Sequence, residues 1–421
     1  MPHIFRSALS TLVLFLTVCL PLRAQITAVR AGHIINPETG QVVSDQTILI
    51  ENGIIAAVGN DVAVPAGAQM IDLPEATVFP GLMDAHTHLC MTVDLDRDNG
   101  SYYYTTLQES NAARAVDGVV NARTMLEAGF TTVRDIGNEG NYACTAVRQA
   151  QAAGRIVGPT IVNAGRIIAP FGGQFHIQPD KPDLAEPEYF FADTHDEMVK
   201  AIRENIHFGA GVIKIVVDDQ DYIYSIDDIK FMKDEANRDG RKLAAHAWTA
   251  PGAHNAAAAG VNSMEHLWNI TDEDFELAKQ NGVVAVFTPF PDFEWGAHRH
   301  LSPEQLVVEH AHQIDRLGAG VRSGISIAFG SDAITDIPGY TRGTMAMERV
   351  DMYIEAGMTP AQLLKSMTTI PAKLIGVDAQ RGAIRKGQAA DLVATAGSPL
   401  DDPQQLKHPL MVMKEGRVVK N

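Results

Sequence analysis

The sequence predicts an α/β protein: a (β/α)8 TIM barrel with a small β-sandwich domain formed from both chain ends. Three observations carry this. Eight short apolar runs alternate with helical stretches through the middle of the 421-residue chain, the pattern of parallel βαβ units closing into a barrel. The segments on either side of that middle read as strands alone. Histidines, a lysine and an aspartate fall at the ends of the strand runs, where barrels carry their active sites. The length suits a barrel with a companion domain. Hydrophobic residues make up 46% and charged residues 20%, a globular composition that argues against disorder.

Residues 1–24 read as a secretory signal peptide. Arg6 is the positive start, and Leu9–Leu22 is apolar apart from Ser10, Thr11, Thr17, Cys19 and Pro21. Cleavage is expected near Ala24 or Gln25. The run is short for a bilayer span, and bulky Val18 before Cys19 suits lipid attachment poorly. The expected location is therefore periplasmic or secreted. Cys90 and Cys144 remain, as one disulfide or as two free thiols.

Residues 25–76 hold the short runs Ile26–Ala31, Thr47–Glu51, Ile54–Val58 and Gln69–Leu73, with Asn52-Gly53 as a tight hairpin turn. The barrel is expected over residues 77–374. Its strand runs are Thr77–Asp84, Thr131–Ile136, Thr160–Ala164, Gly211–Val217, Lys242–Ala247, Ser263–His266, Val283–Thr288 and Ser326–Gly330. Thr105–Ala128 reads as one long helix. Thr194 with Glu197, and Ser302 with Gln305, have capping-box spacing ahead of further helices. Thr359-Pro360 with Gln362 opens another, with proline at its favoured first position. Residues 375–421 return to strands at Asp391–Thr395 and Leu410–Glu415. The simplest topology pairs this tail with the N-terminal strands.

The formal net charge is −17, which disfavours nucleic acid and anionic membrane surfaces. A small-molecule substrate is the expected partner, without stable membrane insertion. A homo-oligomer is compatible with the pattern.

The chemistry starts at His86-Thr87-His88, after the first barrel strand. A two-residue spacing in extended chain puts both imidazoles on one face, able to grip one divalent ion. Asp84 lies two residues earlier on that face and could support a ligand. Lys214 interrupts an apolar strand, where its charge is costly unless paired or modified. His246, His266 and Asp332 each end a strand. Strands one, four, five, six and eight thus present ligand types at one end of the barrel.

These residues carry a resemblance to the amidohydrolase superfamily, through Phe79-Pro-Gly-Leu-Met-Asp-Ala-His-Thr-His88, Ala245-His246, Glu265-His266, Gly330-Ser-Asp332 and Gly387-Gln-Ala-Ala-Asp-Leu-Val393. The resemblance covers nearly the whole chain after the leader. It implies two divalent ions, zinc by default. His86, His88 and Asp332 would hold one, His246 and His266 the other, with Lys214 carboxylated and bridging. A water between two cations is acidified. Asp332 would take its proton and hand it to the leaving amine. Deaminase-like members lack the barrel lysine, so Lys214 points to the binuclear branch. Within it the chain resembles imidazolonepropionase-like proteins and Xaa-Pro dipeptidase or carboxypeptidase types.

The implied function is hydrolysis of amide bonds in a dipeptide or N-acyl amino acid. A lactonase or phosphotriesterase on the same centre is the alternative. A non-catalytic binding protein is disfavoured by the complete ligand set. The chain departs from the family at Gly172-Gly173-Gln174-Phe175-His176, where the expected Gly-Gly-His histidine is displaced by two. It also departs at Asp218–Tyr224, which replaces a small, glycine-rich turn. His176 and Tyr222 are the expected substrate contacts, with Tyr224 competing equally with Tyr222. His298-Arg299-His300 reads more as a solvated loop than as a site for an acidic group. The tyrosines at 102–104 suit pocket lining and helix packing alike.

Overall fold

A computed structural model of the chain describes residues 26–98 and 102–421. The leader reading falls on residues outside the described ones. The two chain ends meet in a single seven-stranded sheet. Its strands run, in spatial order, Arg417–Lys420, Met411–Lys414, Leu392–Thr395, Gln69–Pro80, Ile26–Asn36, Gln41–Glu51 and Ile54–Gly59. The junction is the antiparallel pairing of Leu392–Thr395 with Pro80–Thr77. Val29, Ile48, Ile55, Val78, Leu392, Met411 and Met413 form the apolar core of this sandwich. The Asn52-Gly53 turn has positive φ at both residues, 52° and 82°, as a two-residue hairpin that matches strand twist requires.

The (β/α)8 barrel follows. Its strands are Leu82–Thr87, Phe130–Asp135, Thr160–Asn163, Val212–Val216, Lys242–Ala247, Ser263–His266 and Val284–Val286, with an eighth around Ile327 that bridges to Ala285. Neighbours run parallel. Two backbone bonds join the remaining seams. Gly211 N donates to Asn163 O at 2.8 Å between strands three and four, and Ala85 N donates to Phe329 O at 2.8 Å between strands one and eight.

The structure corrects three expectations. Thr77–Pro80 is not barrel; it completes the long Gln69–Pro80 strand of the other sheet, and the first barrel strand begins at Leu82. The helix expected over Thr105–Ala128 is two, Tyr103–Gln108 and Asn111–Glu127. Between them Ser110 is extended and its side chain accepts from Ala113 N. That is an N-cap, and an apolar count along the run passes over it. The third strand breaks after Asn163. The chain resumes pairing at Ile167–Ala169, which joins Ile215 on one side and Tyr189–Phe191 on the other. The expected caps at Thr194, Ser302 and Thr359 are all formed as capping boxes. Cys90 and Cys144 are buried free thiols. Among the described residues no helix is long and apolar enough to cross a membrane.

Candidate metal centre

The strand ends gather the expected residues. His86, His88, Lys214, His246, His266 and Asp332 are all buried at the C-terminal mouth of the barrel. Nε2 of His88 lies 3.2 Å from Nε2 of His86 and 3.2 Å from Oδ1 of Asp332. His86 Nε2 is 3.7 Å from the same carboxylate oxygen, and Oδ2 of Asp332 is 3.7 Å from His266 Nδ1. The His246 and His266 rings are 4.5 Å apart, and those of His266 and His86 4.7 Å. His86, His266 and Asp332 offer ligand atoms that all lie within 4.8 Å of one another.

Local backbone makes this convergence. His266 and Asp332 have φ of 67° and 49°, a left-handed conformation that costs a non-glycine residue on the order of 1–3 kcal/mol. Asp332 N donates to His86 O at 2.9 Å, fastening strand eight to strand one at the ligands. At Gly330 a Cβ would fall 2.8 Å from that of His86 and 2.3 Å from Val286 Cγ1, so only glycine lets the eighth strand come this close. Buried arginines hold the carbonyls of the ligand-bearing ends. Arg134 donates to Ala85 O, Arg316 to His266 O, Arg342 to His88 O and Arg349 to Ser331 O.

The hydrogen bonds set the imidazole tautomers. Nδ1 of His88 donates to Gly137 O at 2.8 Å, because a carbonyl only accepts. Nδ1 of His86 donates to Glu265 Oε2 at 2.8 Å. In the neutral rings both Nε2 lone pairs are left facing the cluster and each other. Burial works to lower the His88 imidazole, but Asp332 outweighs it and raises it. Burial pushes the His86 imidazole down to about 4 and that of His266 well below its usual value. Burial works to raise Glu265, but the Arg134 guanidinium and His86 outweigh it and hold the carboxyl down at about 2. Burial also works to raise Asp332, yet His86, His88 and Lys214 keep it well below the carboxylate range. Burial lowers the Lys214 ammonium to about 8, bringing its neutral, reactive form within reach of neutral pH. His246 Nε2 is buried and has no hydrogen-bond partner, although Asp219 Oδ2 stands 3.1 Å away in poor alignment. Two opposed lone pairs, an orphaned ring nitrogen and an ionised carboxylate form a donor set that fits divalent metal.

A cavity of about 300 Å³ opens over the cluster. His88, Lys214, His246, His266 and Asp332 are at its floor, and Gln174, Asp219, Trp248, Trp295, His298 and Arg299 stand around it. A larger cavity of about 480 Å³ lies at the other end of the barrel, beside Lys242, Asn262 and Ser326. It lacks such a donor cluster, and barrel chemistry belongs at the C-terminal face.

Neither expected substrate contact lines the upper cavity. Phe175 is buried against Tyr189 and Tyr102, which turns the next residue, His176, out to solvent. Gln174 faces inward instead, donating to Asp219 Oδ2 at 2.7 Å. Tyr222 is exposed, while Tyr224 is buried with its hydroxyl bonded to Ala192 O. His298, assigned above to a solvated loop, is buried and stacked on Trp295. Asp84 accepts from the backbone amides of His86 and Ser331 rather than from a ring nitrogen. Asp219 was overlooked. The signal for it was position: Asp218-Asp219 immediately follows the strand that carries Lys214. Asp218 accepts from Trp248 N and Thr249 N, which leaves Asp219 beside His246.

A (β/α)8 barrel with imidazoles, a lysine and a carboxylate converging at its C-terminal mouth is the architecture of barrel hydrolases. The comparisons make this specific. The chain belongs to the amidohydrolase family, whose model matches residues 77–419. It is similar to an ochratoxinase of Aspergillus niger, 28% identical over 92% of this chain and 85% of that one. It is also similar to an imidazolonepropionase of Fusobacterium nucleatum, 25% identical over 82% and 83%. Among solved structures, a Xaa-Pro dipeptidase with methionine bound in its active site superposes with a TM-score of 0.82 at 27% identity, covering 94% of this chain and 100% of that one. The A. niger ochratoxinase structure superposes with a TM-score of 0.80 at 25% identity, covering 94% and 96%. The protein is a hydrolase acting on carbon–nitrogen bonds.

Proposed function

We propose that the protein is a metal-dependent hydrolase of small peptide-like amides, namely dipeptides or N-acyl amino acids. The observation that carries the reading is the pair of imidazole Nε2 atoms, 3.2 Å apart, with their Nδ1 atoms tied to acceptors and the Asp332 carboxylate beside them. His86, His88 and Asp332 would hold one divalent ion and His246 and His266 a second, with carboxylated Lys214 between them. Bound zinc ions supply Lewis acidity toward a carbonyl and make a water acidic enough to deprotonate near neutral pH.

The chain's own groups do the rest. Asp332 is ionised, so its carboxylate would accept the water's proton and return it to the departing nitrogen. Glu265 keeps the His86 lone pair directed at the cluster. Gln174 and Asp219 offer polar anchors at the cavity wall. The dipeptidase similarity supports a peptide-like substrate, and the leader-like N-terminus supports action outside the cytoplasm.

The test is elemental analysis of purified protein followed by a substrate panel. About two divalent ions per chain are expected, with hydrolysis of some dipeptides or N-acyl amino acids and its loss on chelation. Faster turnover of lactones or phosphotriesters than of every amide would replace this reading with the lactonase or phosphotriesterase one. Activity persisting in chelator, with no bound metal, would remove the metal dependence.

A further inference from the structure

The cavity wall narrows the substrate, on the strength of the amide-hydrolase reading above. The chain has three tryptophans, and all three stand on one side of the cavity. Two follow donor histidines at the same interval: Trp248 comes two residues after His246, and Trp268 two after His266. Trp248 and Trp268 stack face to face, with ring centroids 4.5 Å apart and planes within 5°. Trp295 lies in the helix Asp292–Arg299 after the seventh strand. Phe290 stacks on it at 4.7 Å. Trp248, Phe290 and Trp295 face the void, and Trp268 backs them. Trp248 also runs nearly parallel to the His246 ring, 12° apart at 6.2 Å. The aromatic wall therefore begins at the donor cluster itself.

Aromatic clusters usually fill a core. This one borders open space of about 300 Å³, enough for one large side chain beside an amide. Met91 and Ile334 add further apolar lining. Flat, near-parallel rings favour a planar guest over an aliphatic one of equal area, because stacking adds to burial.

Arg299 stands at the end of the wall. Its guanidinium lies over the Trp295 ring, 5.0 Å from the centroid. It lines the cavity, is exposed, and forms no ion pair among the described residues. The cavity's own carboxylates are engaged elsewhere, Asp219 with Gln174 and Asp332 with the donor cluster. A cation in contact with the aromatic wall suits a ligand that carries an aromatic ring and an anion on one residue.

We infer that Trp248, Phe290 and Trp295 form a subsite for an aromatic side chain, with Arg299 taking the carboxylate of that same residue. The favoured substrates are then N-acyl amino acids or dipeptides with an aromatic C-terminal residue. Water adds across the C–N bond, the acyl carbon leaves as a carboxylate, and the aromatic amino acid leaves as the amine.

The experiment compares Ala-Phe with Ala-Ala on the metal-loaded protein, and N-acetyl-phenylalanine with N-acetyl-alanine as ligands by intrinsic fluorescence. Because every tryptophan lines or backs this wall, the emission is sensitive to a ligand bound there. The expected result is a kcat/KM at least about tenfold higher for Ala-Phe, since that ratio needs only about 1.4 kcal/mol. N-acetyl-phenylalanine should change the emission saturably, at concentrations where N-acetyl-alanine does not. Trp295→Leu should lower the Phe-to-Ala ratio, and Trp295→Phe should restore it in part. Amidating the carboxylate of Ala-Phe should raise KM, and Arg299→Gln should raise KM for Ala-Phe and abolish that difference. Equal kcat/KM for Ala-Phe and Ala-Ala, or equal binding of both ligands, overturns the subsite while leaving amide hydrolysis intact. Selective binding of N-acetyl-phenylalanine by a protein that cleaves no amide does the reverse: it keeps the subsite and removes the proposed activity.

Discussion

Oε2 of Glu265 lies 2.8 Å from Nδ1 of His86, inside the barrel and across 179 positions of sequence. The other carboxylate oxygen of Glu265 accepts from Arg134 at 2.7 Å and from Ser263 Oγ. Glu265 precedes His266 on the sixth strand, so one strand end supplies both a candidate ligand and the group that orients a ligand on the first strand. A metal-binding imidazole needs its far nitrogen held in this way. Glu265→Gln should keep the shape but weaken the acceptor. Metal affinity should fall by about 10–100-fold, read by competition with a chelator of known affinity. Unchanged affinity would make Glu265 only a partner for Arg134.

Lys214→Ala tests the bridging role proposed for the lysine. The side chain is buried and its ammonium is lowered to about 8 by burial, which favours reaction of the neutral amine with carbon dioxide. The variant should bind fewer than two ions and lose most activity, and a short carboxylic acid should restore part of it. Lys214→Arg should stay inactive, because guanidinium keeps its charge. Full activity and metal content in either variant would leave Lys214 as an ordinary strand lysine.

Asp332→Asn tests proton transfer. The amide keeps the size of the carboxylate but has no basic oxygen. Turnover should fall by about two to four orders of magnitude, with a smaller change in KM. A loss of only a few-fold in kcat would place the proton-transfer role on another group.

His310 ties the Trp295-bearing helix to the rest of the barrel. It contacts Asp292 at 2.7 Å and Glu355 at 2.9 Å. Burial works to lower this imidazole, but the bonds to Glu355 and Asp292 outweigh it and leave it above 6.5. A raised folded-state value stabilises the protein fully below the unfolded value and ceases to do so as pH rises through the folded one. His310→Gln should therefore cost more stability at about pH 5.5 than at about pH 8.5. Partial exposure keeps the difference to about 1 kcal/mol or less. Denaturant melts of both proteins at the two pH values measure it. An equal loss at both would show that His310 acts by packing alone.

The alternation of strand and helix, the composite sheet and the positions of all six candidate ligands were legible in the sequence. These features depend on local periodicity and on where a residue sits relative to its own strand end, and both are properties of short segments. The N-caps at Thr194, Ser302 and Thr359 are legible for the same reason. Tertiary structure alone decided what surrounds the ligands. His176 turns to solvent because Phe175 is buried against Tyr189. Asp219 faces His246 because Asp218 is spent on the amides of Trp248 and Thr249. The three tryptophans follow three different barrel strands, Trp295 from the helix after the seventh, and form one wall only when the barrel closes. Glu265 meets His86 by the same closure. Such contacts join residues with no local relation, and the geometry that pairs them exists only after the strands have found their register.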